Sequence, residues 1–247
     1  MKKTLFLLIS LSMGLVGANA QSNKYDLNED GHVNITDVIE LVNYILGLNN
    51  GNPGGGGNET NATGEAIDLG LPSGTKWASC NVGATKPEEY GGYYAWGETE
   101  EKETYDWENY IYCNGTYKTC HNIGSDISGT KYDVAHMKWG GEWRMPTLVQ
   151  YKELLDNCIK EWTTLNGVKG YKFTSKINGN NIFFPAGGYC TSDLRYDGQV
   201  VSCWLSTQYS SFIYYAYGID LNSSNSKWEY YFLTRDRGQN VRPVWKE

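Results

Sequence analysis

Trp143-Arg-Met-Pro-Thr147-Leu-Val-Gln-Tyr-Lys-Glu-Leu-Leu-Asp-Asn-Cys158 is the stretch on which the fold of most of this chain turns. Thr147 carries the side-chain oxygen that suits a helix N-cap. Val149, Leu154, Leu155 and Cys158 follow it at helical spacing. The spacing predicts a helix over 147–161 with those four residues on its inner side. A shorter helix is expected near 133–138. Turn signals come often around these segments: Pro72-Ser-Gly74, Gly91-Gly92, Asn114-Gly115, Gly140-Gly141, Asn178-Gly179 and Asp197-Gly198. Between them, short aromatic and β-branched runs at 170–174, 182–185 and 230–234 read as strands. Residues 66–247 are therefore expected to form one α+β domain with short strands, one clear helix and long loops.

Working outward, residues 49–65 read NNGNPGGGGNETNATGE. Such a Gly/Asn-rich run buries no core and behaves as a flexible linker. Ahead of it, residues 21–48 hold Asp26-Leu-Asn-Glu-Asp-Gly-His-Val-Asn-Ile-Thr-Asp37. Asp26, Asn28, Asp30, Asn34 and Asp37 place side-chain oxygens at loop positions 1, 3, 5, 9 and 12. Gly31 occupies the sharp turn at position 6, and His32 can offer its backbone carbonyl at position 7. Calcium, a hard cation that takes six or more oxygens, fits this donor set. The competing reading is an Asp/Asn-rich turn that only caps the following helix. Six loop positions in agreement favour the metal. Val38, Ile39, Leu41, Val42, Ile45 and Leu46 then give that helix a broad apolar face, and Gly47 stops it.

Residues 1–20 read as a secretory signal: Lys2 and Lys3, an apolar core over 5–16, and Ala18-Asn19-Ala20 before the cut. The core is too short to span a bilayer as a helix. Cleavage removes two lysines and no acid, moving the net charge from −7 to −9. An acidic chain with no Lys/Arg cluster suits neither nucleic acid nor an anionic membrane surface. Six cysteines fit an oxidising compartment. Cys113 with Cys120, and Cys190 with Cys203, each bracket a short turn-rich segment and are the expected pairs. Cys80 and Cys158 are expected either to pair or to be buried thiols.

The calcium loop resembles the repeat of type I dockerins, in which Asp at position 12 is ordinary. A dockerin repeat implies a cohesin partner, although a dockerin normally packs two repeats together and this chain has one. The larger domain carries Asp68-Leu-Gly-Leu-Pro-Ser-Gly-Thr-Lys-Trp-Ala-Ser-Cys-Asn-Val-Gly-Ala84, Tyr94-Ala-Trp-Gly-Glu98, Trp139-Gly-Gly-Glu-Trp-Arg-Met-Pro-Thr147 and Val241-Arg-Pro-Val244. In that order these segments resemble the Fibrobacter succinogenes major paralogous domain. That resemblance implies a C-type-lectin-like fold and a secreted or surface location in Bacteroidetes-type bacteria.

No nucleophile elbow, zinc-binding helix or phosphate-cradling Gly loop occurs. Glu98, Glu100 and Glu101 are expected to be a solvated acidic turn rather than a glycosidase pair. Between residues 204 and 240, Ser and Asn are interleaved with many aromatic rings, the composition of adaptable binding loops. Trp204, Tyr209, Tyr214, Tyr217, Asp220, Arg235 and Asp236 are the candidate ligand-binding residues, while 230–233 reads as a core strand. The sequence thus predicts an exported, non-enzymatic recognition protein that binds glycan or a cell-surface partner. An accessory component of extracellular polysaccharide degradation, attached through the dockerin-like repeat, is the alternative. A retroelement-diversified display protein is another.

Overall fold

The computed structural model describes residues 64–223 and 230–245. The chain divides into two units, residues 1–60 and 61–247. The first unit, where the signal, the calcium loop and its helix are expected, lies outside the described residues.

The described domain is mostly β. Strands dominate the expected α+β mixture, and the helical share is two short α-helices and one 3-10 turn among the described residues. Strands β1 (Ala66–Ile67), β2 (Lys76–Ala78), β3 (Trp143–Arg144) and β12 (Val244–Trp245) form one sheet in the order β1-β2-β12-β3. Strands β4 (Cys158–Leu165), β5 (Val168–Ser175) and β6 (Asn181–Pro185) form an antiparallel meander. A third sheet joins β9 (Val200–Gln208), β10 (Tyr215–Asn222) and β11 (Tyr230–Thr234) in the order β11-β10-β9. Strands β7 (Tyr189–Cys190) and β8 (Leu194–Arg195) make a small ribbon.

Helix α1 (Val134–Trp139) begins where expected, with Asp133 accepting from the backbone N–H groups of Ala135 and His136. Helix α2 (Leu148–Asn157) starts at Thr147 with a full capping box, its hydroxyl and the Gln150 side chain each satisfying the other's backbone N–H. It stops at Asn157, four residues short of the expected end. Cys158 opens β4 instead, because Cys158–Leu165 pairs along its whole length with β5. Burial alternates with a period of two over residues 158–162, as a half-covered strand requires. Val149 is not on the inner side: it is 76% exposed, and Tyr151 and Leu154 are the buried residues of the helix.

Two hydrophobic clusters make the main core. One gathers Trp77, Tyr151, Leu154, Tyr171, Phe173, Phe184, Leu205 and Ile219. The other gathers Trp96, Trp139, Trp143, Met145, Trp204, Ala216 and Leu233. Neighbouring residues on β9 and β10 contribute to different clusters: Trp204 and Leu205 on β9, Ala216 and Ile219 on β10. The central sheet is therefore covered on both faces, which explains the uninterrupted burial of residues 201–206.

Candidate functional site: an aromatic face over a buried arginine

β9 and β10 are joined by a turn in which Tyr209 N–H donates to the Tyr215 carbonyl and Tyr215 N–H to that of Phe212, each at 3.1 Å. The pairing register of β9 and β10 shifts between Ala216 and Gly218. Such an irregularity breaks strict alternation and re-aims side chains near a sheet edge. Beside it the rings form a continuous set. Tyr209 stacks on Phe232 at 4.3 Å and 16°, and Phe232 stacks on Tyr231 at 4.4 Å and 19°. Phe212 lies 5.6 Å from Tyr214, which meets Tyr117 edge-on at 5.0 Å. Phe212, Tyr231 and Tyr117 remain 50%, 44% and 41% exposed. Buried rings are the rule in a core, so neighbouring large rings left this open make a surface patch that needs a reason.

Tyr117 comes from a different part of the chain. It begins a 3-10 turn (Tyr117–Thr119) inside the loop closed by the Cys113–Cys120 disulfide, which is the first of the expected pairs. The Thr119 hydroxyl fastens the same loop, accepting from Asn114 N–H and donating to the Asn114 carbonyl.

Beneath the face lies Arg235, fully buried. Its Nε donates to Tyr110 Oη at 2.8 Å, and its Nη1 to the carbonyls of Ile213 at 2.8 Å and His121 at 3.2 Å. The guanidinium also sits 4.7 Å from the Trp96 ring centroid, a cation–π distance. The Tyr110 hydroxyl in turn donates to the Trp96 carbonyl at 2.7 Å. Among the described residues Arg235 has no carboxylate partner, so carbonyl dipoles and ring faces carry its charge. Burial lowers its pKa and raises that of Tyr110. Arg242 is held in the same way, by Asn81 Oδ1 and the carbonyls of Ala78, Ser79 and Phe183.

Of the seven residues that the sequence singled out, the face brings together Tyr209 and Tyr214. Trp204 is buried, with its indole N–H given to the Tyr94 carbonyl at 2.8 Å, so it does not face solvent. Tyr217 is half-buried: its ring meets that of Tyr209 edge-on at 5.6 Å and also packs against the first core cluster, at the inner margin of the face. Arg235 and Asp236 are buried, and Asp220 is half-buried on β10 opposite Ser202. Burial raises the pKa of both Asp220 and Asp236. The expected core strand 230–233 is core only in part: Leu233 is buried, whereas Tyr231 is exposed. Tyr117, Phe212, Tyr231 and Phe232 were not among the candidates.

Two further expectations are corrected. Glu98 is not solvated: it is buried, accepts from Ile111 N–H at 2.9 Å and pairs with Lys102 Nζ at 2.6 Å. Glu100 and Glu101 are exposed as expected, Glu100 in an ion pair with Lys138 and Glu101 accepting from Tyr93 N–H, so Glu98 alone departs from the solvated turn. Cys190 and Cys203 are both free thiols, as are Cys80 and Cys158. The reason is spatial. Cys203 is sealed in the first core cluster, whereas Cys190 packs against a separate small cluster of Ala95, Tyr105, Tyr110 and Cys113, so the two sulfurs belong to different parts of the core.

No His/Cys/Asp/Glu group among the described residues could hold a metal ion. The calcium candidates Asp26, Asn28, Asp30, His32, Asn34 and Asp37 lie outside the described residues.

Residues 24–70 match the dockerin type I domain. Domains of that type bind calcium through EF-hand-like loops, so calcium is the cofactor of the N-terminal module. The match runs on through the Gly-rich stretch into β1, whose Ala66 and Ile67 pair with Ala78 and Trp77 of the larger domain. No curated protein and no solved structure matches the chain.

Proposed function

We propose that this chain is an exported accessory component of extracellular polysaccharide degradation, attached to a cohesin-bearing partner through its calcium-binding dockerin repeat. The observation that carries the proposal is the dockerin type I match at residues 24–70. Asp26, Asn28, Asp30, Asn34 and Asp37 would hold the ion with the His32 carbonyl. Bound calcium would neutralise the clustered carboxylates of that segment. The disulfide Cys113–Cys120 accords with an oxidising location outside the cytoplasm. Among the described residues no helix is long and apolar enough to cross a membrane.

In this reading the larger domain, C-type-lectin-like by the motifs in 68–84, 94–98, 139–147 and 241–244, recognises and does no chemistry of its own. The test is binding of the full chain to immobilised cohesin modules with calcium and with chelator. Calcium-dependent capture that Asp26→Ala and Asp37→Ala abolish is the expected result. No capture by any cohesin from the same genome would overturn the attachment.

A further inference from the structure

The aromatic face is an open surface built from three separate segments, and nothing in the described domain covers it. We infer that it is a binding platform for an uncharged polysaccharide chain, with sugar rings laid against the exposed faces of Tyr117, Phe212, Tyr214 and Tyr231. The inference rests on the polysaccharide-linked reading above and names the ligand class for its recognition domain.

Charge selects the occupant. Residues 207–217 and 230–234 contain no Asp, Glu, Lys or Arg, and the disulfide loop 113–120 contains only Lys118. The Lys118 ammonium lies 5.8 Å from the Tyr117 ring centroid, already engaged with that ring. Away from Lys118, a charged glycan or acidic peptide would give up its water along this face without meeting a counter-charge. A neutral sugar chain offers what the face can take: C–H surfaces for the rings, and hydroxyls for the tyrosine oxygens and for Ser210 and Ser211.

The rings are also held before any ligand arrives. Tyr209, Phe232 and Tyr231 form one stack, and Tyr214 leans on both Phe212 and Tyr117. Rigid aromatic side chains lose little rotamer freedom on binding, which favours affinity. Arg235 acts as a positioning residue. Its side chain bonds the carbonyl of Ile213, next to Phe212 and Tyr214, and that of His121, next to the disulfide. One buried cation thus ties the two loops that present Tyr214 and Tyr117.

The test is affinity electrophoresis of the full chain through gels that contain neutral polysaccharides (xyloglucan, glucomannan, mixed-linkage β-glucan, starch) or anionic polygalacturonate. Retardation by at least one neutral polymer and not by polygalacturonate is expected. Tyr117→Ala, Phe212→Ala and Tyr231→Ala, each on an exposed ring, should weaken it about tenfold without changing the melting temperature by more than a few degrees. Arg235→Lys should weaken it too, while ring-deleted and Arg235 variants keep cohesin capture. Three results would overturn the inference: no retardation by any neutral polymer, retardation indifferent to the ring substitutions, or a concentration-dependent dimer that the ring substitutions abolish. The last would assign the face to a second copy of the chain. Chelation separates the two readings, because it should abolish cohesin capture and leave retardation in place.

Discussion

Arg235 Nη1 donates to the Ile213 carbonyl at 2.8 Å across 22 residues of chain, and the Arg235 backbone N–H donates to the carbonyl of Tyr214 next door. A buried cation without a carboxylate is costly, so its carbonyl partners are indispensable to the fold.

Arg235→Met should therefore leave the Ile213 and His121 carbonyls without their donor. Each unsatisfied buried group costs about 1–3 kcal/mol, and urea unfolding should show a net loss near 2–4 kcal/mol. An unchanged midpoint would mean that water or another donor replaces the guanidinium.

The cysteine arrangement predicts a thiol count. Unfolded in guanidinium without reductant, the protein should titrate four free thiols against a thiol reagent; two would mean that a second disulfide, such as Cys190–Cys203, had formed. Replacing Cys113 and Cys120 together by serine opens a loop of sequence separation 7. Chain entropy puts that loss at about 2 kcal/mol, read as a lower urea midpoint.

Alkaline pH should unfold the domain. Burial pushes the Tyr105 phenol up to about 12, and raises Tyr93, Tyr94 and Tyr110 as well. A phenol whose folded pKa exceeds its unfolded value near 10 keeps its proton in the native state while the unfolded chain loses it. The stability it contributes is complete below pH 10 and disappears as pH rises through the folded value, near 12 for Tyr105. Tyrosinate absorbance at 295 nm should lag model tyrosine up to pH 11 and then rise together with loss of tertiary circular dichroism. A titration that follows free tyrosine from pH 10 upward would contradict the burial.

Trp204→Ala and Phe212→Ala should behave oppositely. Trp204 is sealed in the second core cluster, so its truncation should cost about 3–5 kcal/mol. Phe212 is half exposed, and its loss should cost under about 1 kcal/mol. Thermal melts of the two variants distinguish a core ring from a surface one.

How far these features could be read in the sequence depends on how local their causes are. Thr147 marks the start of its helix in the sequence because a cap is made within three residues, and Asp133 caps the shorter helix in the same way. The end of α2 was misread because β4 is fixed by β5, through pairs such as Cys158 with Ser175. A local signal for that hairpin did exist: Asn166-Gly167 turns it with both φ values positive, 48° and 88°. The aromatic face was only half legible. The composition of 204–240 pointed to Tyr209 and Tyr214, yet composition cannot tell Trp204, sealed by a carbonyl bond, from Phe212, left open. Tyr117 lies outside that segment, and only the folded disulfide loop brings it to Tyr214.

The sheet order β1-β2-β12-β3 places the last strand of the domain between β2 and β3, with the first strand at its edge. Val244 pairs with Trp77, which in turn pairs with Ile67, so entry and exit lie two strands apart. A domain closed in this way is a cassette. It can be spliced into the surface loop of a host polypeptide, repeated in series, or cut open elsewhere and rejoined at its old ends by a short bridge.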